Sequence, residues 1–212
     1  FKNINISAVG GPCLASDLAN KIHSSVVITN EDEKTLFWLK NLLNNNYYHI
    51  STNTDVIGVE VSAAIKNIFS MAIGSAKGIS NSSKNINKND VKYLNTSASL
   101  FSQSVHEMEL FVSFLNGKKE TVKGLAGIGD LYVSAAGGRN SLMGSYLGEG
   151  FLYSEVKENQ MKNVTVEGAD LSLEIYELVN KNFSIKELPL MLSMMESIVN
   201  NKKVDIQWKY FN

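Results

Sequence analysis

The first 55 residues alternate short β-branched runs with stretches of helical periodicity. This pattern predicts strands at residues 4–9, 24–30 and 47–53, and helices at residues 14–22 and 31–43. We expect Thr29 or Asn30 to cap the second helix, because short polar side chains accept hydrogen bonds from the first free N–H groups of a helix. Such alternation is typical of an open α/β sheet.

Strand signals stop after Asp55, which is a predicted N-cap, and helical periodicity takes over. Helices are predicted at residues 56–78, 96–115, about 141–147 and 168–180, with a last one after Pro189. Residues 79–95 are rich in Asn, Lys and Ser and are predicted to form a solvated loop. The sequence therefore predicts the end of an α/β domain over residues 1–55 and an all-α domain over residues 56–212.

The predicted helix at residues 56–78 carries one charge, Lys66, in the middle of an apolar sequence. No other side chain between Glu60 and Lys77 is ionised at neutral pH, and small residues alternate with large apolar ones, so neighbouring elements can approach closely. A buried ammonium group costs several kcal/mol unless it is paired, so we expect Lys66 to lie against a carboxylate or a ligand. In the alternative interpretation, the methylene groups of Lys66 extend along the apolar surface and its ammonium group reaches solvent.

A glycine-rich segment, GLAGIGDLYVSAAGGRN, holds a single acid, Asp130, and ends where a helix begins. Free N–H groups at a helix start, next to a guanidinium and an amide, are typical of a phosphate site. Arg139 and Asn140 are therefore candidate phosphate ligands, and Ser134 adds a hydroxyl donor. Asp130 is the candidate partner of Lys66, and a paired lysine can relay a proton. A tight turn or a helix cap is the alternative reading of the GxGD sequence.

Composition narrows the range of partners. A net charge of −1 gives no electrostatic reason to expect nucleic acid or an anionic membrane. No apolar run reaches the roughly 18–20 residues of a membrane span without small or polar interruptions. The three histidines and the single cysteine, Cys13, lack metal-ligand spacing, so we expect no metal. Because the chain enters a strand-like run directly from Phe1, we expect further residues to precede it in the natural gene product.

Five groups of motifs follow one another along the chain. They are GGPCLASDLA at 10–19, DVIGVEVSAAIKNI at 55–68, NTSASL with HEM at 95–100 and 106–108, GLAGIGDL with GGRN at 124–131 and 137–140, and VEGADLSLEIYEL with LPL at 166–178 and 188–190. In this order and spacing the chain resembles the C-terminal two-thirds of NAD-dependent glycerol-3-phosphate dehydrogenase. The order of the motifs is more specific than any one of them.

The resemblance implies the last strands and helices of a Rossmann-type dinucleotide-binding domain, followed by an all-α substrate domain. It implies hydride transfer between NAD(P)H and dihydroxyacetone phosphate, giving sn-glycerol 3-phosphate, with NAD as the expected cofactor and NADP as the alternative. The residues that it implies are Lys66 and Asp130 for catalysis, Asn67, Ser134, Arg139 and Asn140 for substrate binding, and Arg139 and Glu167 for cofactor binding.

The chain also departs from the family that it resembles. It has no counterpart of the glycine-rich dinucleotide loop or of a further substrate lysine in the family's N-terminal half. We therefore do not expect it to bind NAD tightly or to turn over alone. The resemblance further implies a cytoplasmic homodimer in glycerophospholipid and carbohydrate metabolism. A two-domain dehydrogenase of the 3-hydroxyacid or 6-phosphogluconate type, and a non-catalytic helical interaction module, are the alternatives.

Overall fold

The computed structural model describes residues 4–82 and 93–212, which form two compact units. Unit 1 comprises the described residues of Phe1–Ala64 and Met108–Val133, and unit 2 those of Ile65–Glu107 and Ser134–Asn212. Three strands lie in unit 1, and the described residues after the third strand are helical or irregular. The predicted fold class, an α/β remnant followed by an all-α part, is therefore confirmed. The domain boundary after residue 55 stays a prediction.

The sheet of unit 1 has the order β1 (Ala8–Gly10), β2 (Ser24–Thr29), β3 (Tyr48–Asn53). Strand β1 is antiparallel to β2, and β3 is parallel to it. The helices α1 (Ala15–Ala19) and α2 (Glu33–Leu43) follow the first two strands. The helix α2 buries Leu36 against a sheet core made of Val26, Ile28 and Ile50.

The first predicted strand is wrong over residues 4–7, and so is the predicted cap of α2. Asn30 explains the first error, because its amide nitrogen donates to Ile6 O and to Ser7 Oγ, each at 2.8 Å. A side chain thus holds the segment before β1 in place of a strand ladder. The cap of α2 is Asp32, whose carboxylate accepts from two first-turn N–H groups.

Asp55 is confirmed as the cap of the long helix α3 (Val56–Asn81), with Gly58 N–H donating to its Oδ1 at 3.0 Å. Its Oδ2 accepts from Lys118 N–H at 2.8 Å and from the Thr121 hydroxyl at 2.6 Å. Burial raises the pKa of Asp55, but these hydrogen bonds outweigh it, and the pKa lies below its usual value. One carboxylate therefore fixes the start of α3 to the short helix α5 (Lys119–Val122).

The remaining helices continue the chain after α3. Their bounds are α4 (Leu94–Phe114), α6 (Asp130–Ala136), α7 (Arg139–Glu149), α8 (Tyr153–Glu158), α9 (Glu167–Asn182) and α10 (Pro189–Val199). A π-helical turn spans Leu125–Gly129, and a 3-10 turn spans Trp208–Tyr210. The loop predicted at residues 79–95 is wrong at its ends, which are helical, and residues 83–92 lie outside the described residues.

The helix α3 is 26 residues long, and by length and hydropathy alone it is apolar enough to cross a membrane. Its apolar side chains are largely inside unit 2, where Ile68, Phe69 and Met71 have no exposed surface. Burial in the protein core accounts for this apolar composition. The expectation of no membrane partner stays a prediction.

Within unit 2, α3 and α7 approach each other so closely that their backbones touch. Each helix carries a G-x-x-x-G sequence, with Gly74 and Gly78 on α3 and Gly144 and Gly148 on α7. A Cβ added at Gly144 would overlap the carbonyl of Met71, and one added at Gly74, Gly78 or Gly148 would overlap a backbone carbonyl of the facing helix. The absence of side chains at these positions therefore sets the distance between the two helices.

A buried carboxylate, Glu107 on α4, holds the start of α10. Its two oxygens accept from Leu190 N–H and Met191 N–H, each at 2.7 Å, and Gln103 donates to it at 2.9 Å. These N–H groups belong to the first turn of α10, where no carbonyl of the same helix can pair with them. Burial raises the pKa of the Glu107 carboxyl to about 7, although the hydrogen bonds from Gln103, Met191 and Leu190 lower it.

We predict that Gly144→Ala destabilises the chain by about 1–3 kcal/mol, because the new methyl group meets a backbone carbonyl that cannot rotate away. Gly137→Ala is the matched control, since a Cβ there has nothing within 4 Å. Urea denaturation of both variants measures the difference. Equal midpoints for the wild type and Gly144→Ala would contradict the close backbone approach.

We also predict that Glu107 makes stability depend on pH. Its pKa is higher in the folded chain than in the unfolded chain, so its contribution is complete below about 4.5 and is lost as the pH rises through about 7. The free energy of unfolding of the wild type, minus that of Glu107→Gln, should fall across this range by on the order of 3 kcal/mol. Chemical denaturation at several pH values measures this difference. An unchanged difference would refute the prediction, and Glu177→Gln, at an exposed position, is the control.

Candidate functional site

Lys66 and Asn67 lie next to each other on α3, and both side chains are half-buried. Lys66 is therefore less enclosed than the apolar sequence around it predicts. Asn67 Oδ1 accepts a hydrogen bond from the Asn140 amide at 3.1 Å. This contact brings the start of α7 to the turn of α3 that carries Lys66.

The start of α7 has the features that the sequence predicts for an anion site. Gly138 adopts φ = +105°, which side chains rarely allow, and this conformation turns the chain into α7 at Arg139. The first N–H groups of α7 have no partner within their own helix and point away from its start. A cavity of about 960 Å³ opens here, and Gly137, Gly138, Arg139 and Lys77 are among the described residues that line it. Two cationic side chains therefore border the cavity.

Asn140 is the centre of a hydrogen-bond cluster at this helix start. Its side-chain nitrogen donates to Asn67 Oδ1 and, at 3.2 Å, to Glu167 Oε2, and its oxygen accepts from Gly168 N–H at 2.9 Å. Both hydrogens of its amide are used, and Asn140 is buried. Three helices, α3, α7 and α9, are thus connected through one side chain.

Arg139 forms an ion pair with Glu167, the first residue of α9. The side chains of the two residues are 55% and 40% exposed, so their mutual attraction adds little to stability. The pair nevertheless concerns the cavity, because Arg139 is one of the described residues that line it. The guanidinium group is already held by an internal carboxylate whose other oxygen accepts from Asn140.

Four of the seven predicted site residues, Asn67, Arg139, Asn140 and Glu167, therefore form one cluster in unit 2. Lys66 belongs to the same unit, next to Asn67. Ser134 is half-buried on α6, five residues before Arg139. Asp130 is buried at the start of α6 and belongs to unit 1. The pairing of Lys66 with Asp130 stays a prediction, as do the chemical roles assigned to all seven residues.

The sequence reasoning missed Gly168 as part of the cluster. Its N–H orients the Asn140 oxygen, and a Cβ at this position would overlap the backbone carbonyl of Asn67. The available signal was a glycine directly after Glu167 at a predicted helix start. That signal becomes specific only when the facing helix is known.

Comparison with known proteins gives a family. Residues 55–208 match the family profile described as NAD-dependent glycerol-3-phosphate dehydrogenase C-terminus. An NADP(+)-dependent glycerol-3-phosphate dehydrogenase of Archaeoglobus fulgidus is 31% identical over 176 residues, and a glycerol-3-phosphate dehydrogenase [NAD(P)+] of Clostridium tetani is 33% identical over 175 residues. Each alignment covers 82% of this chain but only 51% and 46% of these relatives, respectively. The chain thus spans about half the length of the curated relatives that it matches.

Solved structures agree with this result. The crystal structure of glycerol-3-phosphate dehydrogenase from Coxiella burnetii matches with a TM-score of 0.76 and 26% identity, over 93% of this chain and 57% of that one. A glycerol-3-phosphate dehydrogenase structure from Plasmodium falciparum has a TM-score of 0.80 at 23% identity, covering 99% of this chain and 57% of that one, and shows the fold alone.

These matches relate the chain to a class of proteins that are named as NAD(P)-linked dehydrogenases. Within that class it belongs to the NAD-dependent glycerol-3-phosphate dehydrogenase family, and it matches the C-terminal part of that family. The resemblance inferred from the five groups of motifs is confirmed.

We predict that Asn140→Ala destabilises unit 2 by about 1–3 kcal/mol, because Asn67 Oδ1 and the Gly168 N–H lose their partner. Exchange of the Gly168 amide hydrogen with solvent should accelerate in the same variant. Denaturation and amide hydrogen exchange measure the two effects. Asn180→Ala, at an exposed position of α9, should change neither, and unchanged protection of Gly168 in Asn140→Ala would contradict the cluster.

Proposed function

We propose that this chain is the substrate-binding half of an NAD(P)-dependent enzyme that interconverts sn-glycerol 3-phosphate and dihydroxyacetone phosphate. The observation that supports this most strongly is the cluster of Arg139, Asn140 and Asn67 beside Lys66. Arg139 and Asn140 can donate hydrogen bonds to a phosphate group. The Lys66 ammonium group belongs to the residue before Asn67, whose side chain is held by Asn140. Membership in the glycerol-3-phosphate dehydrogenase family supports the same substrate.

Arg139 and the first N–H groups of α7 would bind the substrate phosphate. A guanidinium group offers two parallel donors to phosphate oxygens, and a helix start adds free N–H groups and a favourable dipole. Lys77 lines the same cavity and adds positive charge. A bound phosphate fixes one end of a three-carbon substrate, so that the carbon that reacts lies at a defined distance from the anion site.

Lys66 would supply the proton. When dihydroxyacetone phosphate is reduced, its carbonyl oxygen gains negative charge and must be protonated to give the alcohol. The Lys66 ammonium group donates this proton, and in the reverse direction the neutral amine takes it back. Asp130 is proposed to hold the ammonium group in place, and Asn67, held by Asn140, to orient the oxygen.

The nicotinamide cofactor, when bound, supplies the hydride. In this chain Arg139 and Glu167 are the residues that would contact it, and they form an ion pair with each other. They fit one edge of a dinucleotide only, because the sequence contains no GxGxxG turn after a strand. Binding of the dinucleotide therefore requires a second, glycine-rich half.

We also propose a homodimer in the cytoplasm, acting in glycerophospholipid and carbohydrate metabolism without nucleic acid or membrane partners. The near-zero net charge supports the absence of nucleic acid and anionic membrane partners. The single cysteine, Cys13, which is exposed, supports a reducing compartment. Family membership supports the metabolic role. Sedimentation of the purified chain tests the dimer directly.

The central test is activity after a dinucleotide-binding half is supplied. The N-terminal half of the Clostridium tetani relative, fused ahead of residue 1, should give oxidation of NADH or NADPH that depends on dihydroxyacetone phosphate. A 3-hydroxy acid and 6-phosphogluconate, assayed with the oxidised cofactor, distinguish the two alternative dehydrogenase types. In parallel, NMR titration of the 212-residue chain with glycerol 3-phosphate tests the anion site without turnover. A folded chain that neither binds the substrate nor turns over in the fusion would refute the proposal.

In the same fusion we predict that Lys66→Ala lowers kcat by at least about a hundredfold, which is the usual contribution of a general acid–base group. Lys181→Ala is the matched control, since it removes an equal charge from an exposed position of α9 and should leave kcat unchanged. The free energy of unfolding of the Lys66→Ala protein should lie within about 1 kcal/mol of the wild-type value. Undiminished turnover in Lys66→Ala would exclude this residue as the proton donor.

A further inference from the structure

The Glu167 carboxylate accepts from the same two side chains that would hold the substrate phosphate. Arg139 pairs with its Oε1, and the Asn140 amide nitrogen donates to its Oε2. Carboxylate and phosphate oxygens accept hydrogen bonds from such donors in the same way. The proposed anion site therefore contains an anion that belongs to the protein itself.

We propose that Glu167 is an internal competitor, which occupies Arg139 and Asn140 when the site is empty and is displaced by the phosphate of the substrate. This inference rests on the proposed function, because it concerns the same anion site. It assigns Glu167 a role in setting phosphate affinity, beyond the cofactor contact that the family resemblance implies.

Hydrogen-bond capacity supports displacement. An Asn side chain has two N–H donors, and at Asn140 one is used by Asn67 and the other by Glu167. A phosphate oxygen reaches this amide only when one of these partners leaves. Glu167 is the partner that can leave, because its side chain is 40% exposed and water can solvate its carboxylate after it rotates away.

The other hydrogen bonds of Asn140 remain in place during this exchange. The Asn140 oxygen remains held by Gly168 N–H, and its nitrogen remains bonded to Asn67. The exchange therefore moves one carboxylate while α3, α7 and α9 stay connected. After the exchange, the displaced carboxylate lies close to a bound phosphate of the same sign, and this repulsion lowers the affinity.

Removal of the charge of Glu167 should therefore strengthen anion binding. NMR titrations of the 212-residue chain with inorganic phosphate and with glycerol 3-phosphate, at low ionic strength, measure the dissociation constants through the amide signals of Arg139 and Gly168. Glu167→Gln keeps the shape of the side chain, and we expect it to bind both ligands about two- to fivefold more tightly than the wild type. Glu167→Ala is the second variant, and tighter binding there too excludes a new contact from the Gln amide as the cause.

Two controls separate the competitor role from other effects. Glu174→Gln removes the same charge from an exposed position seven residues further along α9 and should leave both affinities unchanged. Arg139→Gln should abolish binding. If Glu167→Gln binds phosphate no more tightly than the wild type, or if Glu174→Gln gives the same gain, Glu167 is not a competitor. Wild-type binding in that case leaves the proposed anion site intact, whereas no binding by any folded variant refutes the site and this inference together.

Discussion

The backbone contact between α3 and α7 is the constraint on which the candidate site depends. Gly74 and Gly78 face carbonyl groups of α7, and Gly144 and Gly148 face carbonyl groups of α3. Because no side chain separates the two helices, the short amide side chains of Asn67 and Asn140 reach each other. With alanine at these glycines the backbones would have to separate, and a hydrogen bond of 3.1 Å has no slack to follow them.

Three carboxylates of this chain, Asp55, Glu107 and Glu167, accept hydrogen bonds from nearby donors but differ in their burial. Asp55 and Glu107 are buried and accept only from fixed donors, among them the first N–H groups of α3 and α10. Burial raises the pKa of both groups, and hydrogen bonds lower it. The hydrogen bonds outweigh burial at Asp55, whose pKa is lowered, whereas burial outweighs them at Glu107, whose pKa is raised. The Glu167 side chain is partly exposed, so its carboxylate is the one that we propose another anion can replace as the acceptor.

Local features were predictable from the sequence, whereas competition between distant partners was not. The Asp55 cap, the start of α10 at Pro189 and the close approach of other elements to α3 follow from residue types over a few positions. The first predicted strand is wrong over residues 4–7 because the Asn30 side chain, more than twenty positions later in the chain, binds Ile6 and Ser7. Likewise, motifs predict Arg139, Asn140 and Glu167 as candidate site residues. Their mutual hydrogen bonds depend on the packing of three helices, which no local pattern encodes.

The use of both Asn140 donors also bears on how the proposed phosphate site would select its ligand. A donor that is already paired gives no net hydrogen bond to a weak acceptor, since the bond gained replaces a bond lost. An anion that displaces Glu167 must offer more negative charge than one carboxylate does, or reach further donors such as the first N–H groups of α7. A phosphate dianion meets both conditions, whereas a carboxylate ligand meets only the second. If Glu167 is the competitor that we propose, its ion pair with Arg139 favours phosphorylated ligands over simple carboxylates, because only the phosphorylated ligands meet both conditions.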